Sequence, residues 1–324
     1  MIGLNAEVPQ HATILPNDDP NGRLHKTPLE INLAEFFIRL IFPGEPCKIE
    51  RMLTIEGLYE MNDVMMRNHV KVIGAGERTI LFAHGFGCDQ SMWQFITPSF
   101  EKKYRIVLFD YVGSGHSDLS AYTSDKYHTL HGYVQDVLDV IETFELKDII
   151  FIGHSISSMI GLLASIERPE YFDKMIMIGP SPRYLNEGDA YFGGFEKSDI
   201  TELLDMMEMN FAGWASFMAP LAMNNPDPML TKQLERSFIS ADPIIAREFA
   251  EVTFFSDHRK DLPKATVPSL ILQCSDDSIV PIEVGEYLHR HLNNSTFRIM
   301  EAKGHYPHIS HPQETITLIN EYLG

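Results

Sequence analysis

From residue 68 onward, short apolar runs alternate with stretches of helical periodicity. The runs at 69–73, 79–84, 105–110, 148–153, 174–179, 268–274 and 296–301 are rich in Ile, Leu, Val and Phe and predict strands. Between most of them, apolar residues recur at the three- and four-residue spacing of an amphipathic helix, at 92–100, 132–145, 155–167, 282–291 and 312–323. Strands apolar on both faces and separated by helices predict an α/β fold, with a mainly parallel sheet covered on both sides.

One stretch breaks the alternation. Between residues 180 and 262 no strand pattern occurs, and four helices are predicted at 197–210, 212–223, 228–239 and 243–254. This stretch holds eight of the 20 Phe, six of the 16 Met and one of the two Trp, so it must pack on something. A four-helix cap at about 181–262, lying over the carboxyl edge of the sheet where open α/β sheets bind ligands, uses that surface. Residues 1–62 differ again: a Pro-, Asn- and Asp-rich irregular stretch, then a short amphipathic helix near 28–41. They are expected to form a loosely attached or partner-docking extension to a domain at 63–324.

A formal net charge of −19 argues against nucleic acid and anionic membranes as partners. The three cysteines, Cys47, Cys88 and Cys274, are odd in number and widely spaced. They suit reduced thiols in a cytoplasmic protein better than a disulfide framework or a zinc site. No apolar run approaches the roughly 20 residues of a membrane helix, and the stretch after Met1 is polar, without the apolar core expected of a secretory leader.

The chemistry concentrates at four loops. Gly153-His154-Ser155-Ile156-Ser157 follows the run 148–153 and opens the helical pattern 155–167. A strand-to-helix turn of G-x-S-x-G type holds a serine exposed and strained, as a nucleophile requires; here Ser157 replaces the last glycine. A serine hydroxyl needs a base at neutral pH, and in this arrangement the acid and then the histidine follow in the chain. Asp277 stands after the strand 268–274, on the loop Asp277-Ser278-Ile279-Val280-Pro281 before the next helix, with Asp276 as its rival. His305, in Gly304-His305-Tyr306-Pro307, lies between the last strand and the last helix and is the expected base. His84-Gly85-Phe86-Gly87 closes the strand 79–84, so the N–H groups of Phe86 and Ile156 are the expected oxyanion donors.

His305, His308 and His311 have a metal-like spacing, but Pro307 and Pro312 interrupt any helix that would align them, and no metal is expected. The Gly113-Ser114-Gly115-His116 loop lacks the spacing of a dinucleotide fingerprint, and no cofactor is expected.

Taken together, HGFGCDQSMW, FDYVGSGHSD, GHSISSMIG, GPSPRYLN, GGFE, FFSDHRKDL, PSLILQC and GHYPHISHP resemble the RsbQ-like α/β hydrolases, regulators of the bacterial general stress response. Plant strigolactone and karrikin receptors are related to that family. The resemblance spans about residues 67–323. It implies an α/β-hydrolase core and a V-shaped cap over a closed apolar pocket. It puts Ser155, Asp277 and His305 on the triad and Phe86 and Ile156 on the oxyanion positions. It also puts Tyr184, Trp214, Met218, Phe254 and Phe255 on the pocket wall. It implies a small hydrophobic ester or lactone-like ligand and a PAS-domain PP2C-type phosphatase as partner. The alternatives are a metabolic carboxylesterase and a receptor with vestigial catalysis.

Overall fold

The computed structural model describes residues 62–324. The expected helix near 28–41, and all but the last residue of the extension, lie outside the described residues.

Seven strands form one sheet: β1 (Lys71–Ile73), β2 (Arg78–Ala83), β3 (Tyr104–Leu108), β4 (Ile149–His154), β5 (Phe172–Ile178), β6 (Ser269–Asp276) and β7 (Ser295–Lys303). Their order is β1-β3-β2-β4-β5-β6-β7, and every pairing is parallel except β1 with β3. The predicted first strand is thus shorter than its apolar run and antiparallel. Gly74 and Gly76 follow it, and the short link from β1 to β2 leaves no room for a crossover, so the chain reverses there and β1 runs against both β2 and the β3 it pairs with.

Ile80, Phe82, Ile106, Ile150, Ile152, Ile176, Ile178, Leu270 and Leu272 alternate along the strands and form one buried face. Leu81, Val107, Phe151, Met175, Met177 and Ile271, on the opposite face, are equally buried. This two-sided burial explains the near-continuous apolar runs.

The long helices are α1 (Leu130–Thr143), α2 (Ile156–Glu167), α3 (Lys197–Met209), α4 (Phe211–Met223), α5 (Pro228–Ser240), α6 (Pro243–Phe255), α7 (Ile282–His291) and α8 (Pro312–Leu323). Helices α3 to α6 are the predicted cap, inserted between β5 and β6. Sequence chemistry sets their ends. The side chains of Asn210, Asp227 and Asp242 accept the free N–H groups at the starts of α4, α5 and α6, and Pro228 and Pro243 open α5 and α6.

The expected helix at 92–100 is instead two short 3-10 turns, Gln90–Trp93 and Thr97–Ser99. Met92, Trp93, Ile96 and Phe100 are buried as a helical face requires, but Pro98 has no N–H to continue an α-helical ladder. No helix among the described residues is long and apolar enough to cross a membrane.

Candidate active site

Four loops leave the carboxyl ends of parallel strands on the same edge of the sheet. Ser155 follows β4, Asp277 follows β6, His305 stands two residues beyond β7, and Phe86 three beyond β2. Because β4 lies centrally, between β2 and β5, its loop meets the others.

The turn at Ser155 is strained. Its φ of 55° and ψ of −124° lie where a side chain is rarely found. The Ser155 N–H donates to Ile178 O at 2.8 Å, tying the turn to β5. A Cβ at Gly153 would sit 2.7 Å from Ser157 O, so only glycine lets the strand double back this tightly. The Ser157 hydroxyl donates to His84 O. The departure from G-x-S-x-G therefore ties the serine turn to the loop carrying Phe86. On that loop, His84 accepts the N–H of Tyr111 at Nε2 (3.2 Å), which leaves Nδ1–H to donate to Gly85 O (2.9 Å).

The three predicted side chains converge. Ser155 Oγ lies 2.7 Å from His305 Nε2, and His305 Nδ1 lies 2.8 Å from Asp277 Oδ2. Asp277 Oδ1 accepts the N–H groups of Ile279 (2.8 Å) and Val280 (3.1 Å), so the carboxylate is fixed before it meets the imidazole. An ionised carboxylate accepts only; His305 must donate from Nδ1 and present the lone pair of Nε2 to the serine hydroxyl. The side chains of His305 and Asp277 are 4% and 1% exposed, so the pair is shielded from water. Asp276 does not take part: its carboxylate is exposed, 3.8 Å from Lys303 Nζ and 3.3 Å from Asn224 Nδ2.

The other histidines of the H-x-x-H-x-x-H run do not join a ligand set with His305. His308 is buried with its ring 4.5 Å from both Trp93 and His154, and His311 Nδ1 pairs with the Ser310 hydroxyl at 2.9 Å. Cys88 is no rival nucleophile, because burial pushes its thiol up to about 12.

His154, which sequence reasoning passed over as the variable residue of the motif, holds the backbone of His305. Its Nε2–H donates to the backbone carbonyl of His305 at 2.7 Å. Burial, with His308 and His305 close by, holds the His154 imidazole well below the usual histidine range, so it stays a neutral donor. The Tyr184 hydroxyl, 3.3 Å from Ser155 Oγ, is a second neighbour of the serine, and burial raises its phenol.

Beneath the cap, Phe86, Tyr184, Trp214, Met218 and Phe254 line a cavity of about 30 Å³ that opens onto Ser155 and His305. Leu203, Ala222, Phe238, Thr253, Ile279 and Tyr306 complete its wall. Phe255 is not there. It borders a groove between α6 and the start of α1, beside His128 and His131. Adjacent residues of a helix point about 100° apart, so a helix that sends Phe254 inward sends Phe255 aside. Trp214 Nε1 and Thr253 Oγ1, both in lining residues, are buried without a hydrogen-bond partner in the protein. A groove of about 320 Å³ between α3 and α4 shares Leu203, Trp214, Met218 and Ile279 with the cavity, and Asp199 and Glu202 border it.

A family model described as the alpha/beta hydrolase family matches residues 80–318. The chain is 38% identical over 265 residues to Karrikin insensitive 2 receptor CA of Petunia hybrida, covering 81% of this chain and 98% of that protein. It is 37% identical over 263 residues to a strigolactone esterase of Arabidopsis thaliana, again covering 81% and 98%. Among solved structures, a hydrolase from Oleispira antarctica superposes with a TM-score of 0.80 at 41% identity, covering 82% of this chain and 97% of that one. The extended family match, these relatives and the sheet order together place the chain in the alpha/beta hydrolase family.

Proposed function

We propose that this protein is a serine esterase acting on a small, oxygenated, largely apolar ester or lactone, with Ser155 as nucleophile, His305 as general base and acid, and Asp277 as the residue that orients the histidine. The observation that carries this reading is the unbroken relay from Ser155 Oγ through His305 to Asp277, at 2.7 and 2.8 Å. In the first step Ser155 Oγ bonds to the ester carbonyl carbon while His305 Nε2 takes the hydroxyl proton. The N–H groups of Phe86 and Ile156 are assigned to the developing oxyanion. Ile156 opens α2, where backbone N–H groups have no partner within the helix, and a donor of this kind is worth about 3 kcal/mol in the transition state. When the C–O bond breaks, His305 returns the proton to the leaving oxygen. Water then repeats the sequence on the acyl-serine, with His305 first taking a proton from the water and then giving one to Ser155.

The lining supports the substrate class. It is mainly aromatic and aliphatic, but the unpaired Trp214 Nε1–H and Thr253 hydroxyl favour a ligand with oxygen acceptors. Its small volume and the receptor names among the relatives support a second reading, ligand sensing with slow turnover. The resemblance to RsbQ-like regulators adds a PP2C-type phosphatase as the partner to test by pull-down.

The deciding experiment is fluorophosphonate labelling followed by mass spectrometry. One adduct on Ser155, absent in Ser155→Ala together with p-nitrophenyl acetate turnover, is the expected result. If Ser155→Ala hydrolyses that ester like the wild type, the assignment is wrong.

A further inference from the structure

Away from the serine, His69, Asp110 and His116 bring one ligand atom each to within 4.8 Å of one another, the only such group of three among the described residues outside the relay. We infer that they form a binding site for a divalent transition-metal ion of the zinc class, which clips the turn before β1 to the loop after β3.

The carboxylate is prepared as a ligand. Asp110 is fully buried, its Oδ1 accepts the N–H of Gln90 at 2.8 Å, and its Oδ2 accepts the N–H of His116 at 3.0 Å. Hydrogen bonds of this kind hold a ligating carboxylate in one orientation. A Cβ at Gly115 would lie 2.6 Å from Asp110 Oδ2, so only glycine lets the loop bring His116 this close.

The first histidine is held just as firmly. His69 has a φ of 45°, unfavourable for a residue with a side chain, and its carbonyl accepts Gln90 Nε2 at 2.8 Å. Its Nδ1 lies 3.1 Å from Asp110 Oδ2. That separation suits a hydrogen bond. It also suits two ligands about 2 Å from one ion at a tetrahedral angle. The ring of His116 stands 5.0 Å from that of His69, centroid to centroid. His116 is exposed, so a rotation of its side chain closes the set and leaves the remaining coordination to water.

Two imidazoles and one carboxylate select zinc, cobalt or nickel over calcium or magnesium, which prefer oxygen ligands alone. Coordination through Nδ1 of His69 takes the tautomer that carries its proton on Nε2. The strongly acidic surface favours a cation in addition.

The test uses the full chain after dialysis against EDTA. Titration with zinc chloride is followed by calorimetry, and titration with cobalt chloride by visible absorption. One equivalent is expected to bind, with cobalt d–d bands of a low-symmetry N/O site. His116→Ala and His69→Gly, the latter compatible with the positive φ, should each weaken zinc binding at least about 100-fold. His311→Ala should leave it unchanged. Zinc should raise the melting temperature of the wild type but not of His116→Ala, whose melting temperature in EDTA should match the wild type and so report an intact fold. Zinc affinity unaltered in both variants, or wild-type affinity weaker than about 0.1 mM, overturns the site.

Discussion

Asp277→Asn is the sharpest test of how the relay works, because the backbone dictates which way the new amide faces. Asp277 Oδ1 accepts two backbone N–H groups, from Ile279 and Val280, while Oδ2 alone faces His305 Nδ1. An asparagine must give its carbonyl oxygen to the two N–H groups, which leaves its NH₂ pointing at His305. The imidazole then accepts at Nδ1 and carries its proton on Nε2, where it cannot take one from Ser155. Flipping the amide to restore the productive tautomer strands two buried donors, at about 1–3 kcal/mol each. The productive form is therefore disfavoured by about 2–6 kcal/mol, or between one and a half and four and a half decades of rate at about 1.4 kcal/mol per decade. The corresponding substitution in the serine-protease template lowers kcat about 10⁴-fold, within that range. The assay is kcat for p-nitrophenyl acetate at pH 7.5, with Asp276→Asn as control. The control carboxylate is exposed and 3.8 Å from Lys303, so less than about a twofold change is expected. Asp277→Asn retaining more than about a tenth of wild-type kcat would refute the reasoning, since the tautomer would then not matter.

Two further expectations concern the histidines behind the base. In His154→Leu the His305 carbonyl loses its buried donor, which should cost about 1–3 kcal/mol in urea unfolding and lower kcat; His154→Gln, whose amide nitrogen reaches the place of Nε2, should recover most of both. Equal losses in the two variants would mean that only the ring's packing matters. Stability should also fall as the medium is acidified. Burial lowers His154 well below the usual histidine value and His308 to about 3, with the neighbouring His305 contributing to both. Between the unfolded value of about 6.5 and those folded values the unfolded chain binds more protons. The stability from keeping these rings neutral is therefore complete above about pH 6.5 and declines below it, by at most about 1.4 kcal/mol per pH unit for each histidine. Urea unfolding at pH 7.5, 6 and 5 measures the slope, and His308→Phe should reduce it; a flat profile across that range counts against the neutral pair.

Much of this site could be read from the chain because its residues sit next to strand ends, and strand ends are marked by where apolar runs stop. The boundaries of the cap helices were legible for a related reason: Asn210, Asp227 and Asp242 are capping residues, and prolines begin two of the helices. What the sequence concealed depends on distance in space. Nothing in GHS shows that His154 reaches the carbonyl of residue 305, 151 positions away. Nothing in a helical stretch ending Phe254-Phe255 shows which ring faces the serine. The run 92–100 misled for a local reason, since its apolar spacing suits a helix whose ladder Pro98 interrupts.

The end of α4 carries a mechanical implication. The N–H of His305 donates to Ala222 O at 2.7 Å, and the Ser278 hydroxyl donates to Leu221 O at 2.9 Å. The last turn of one cap helix is thereby stapled to both the loop of the base and the loop of the acid, while the same helix supplies Trp214 and Met218 to the cavity wall. The part of the cavity wall that α4 supplies is thus tied directly to the loops that carry His305 and Asp277. An outward shift of α4 is therefore expected to loosen the His305 N–H bond to Ala222 O as well, and faster deuterium uptake at that amide in the presence of a bulky ester would report it.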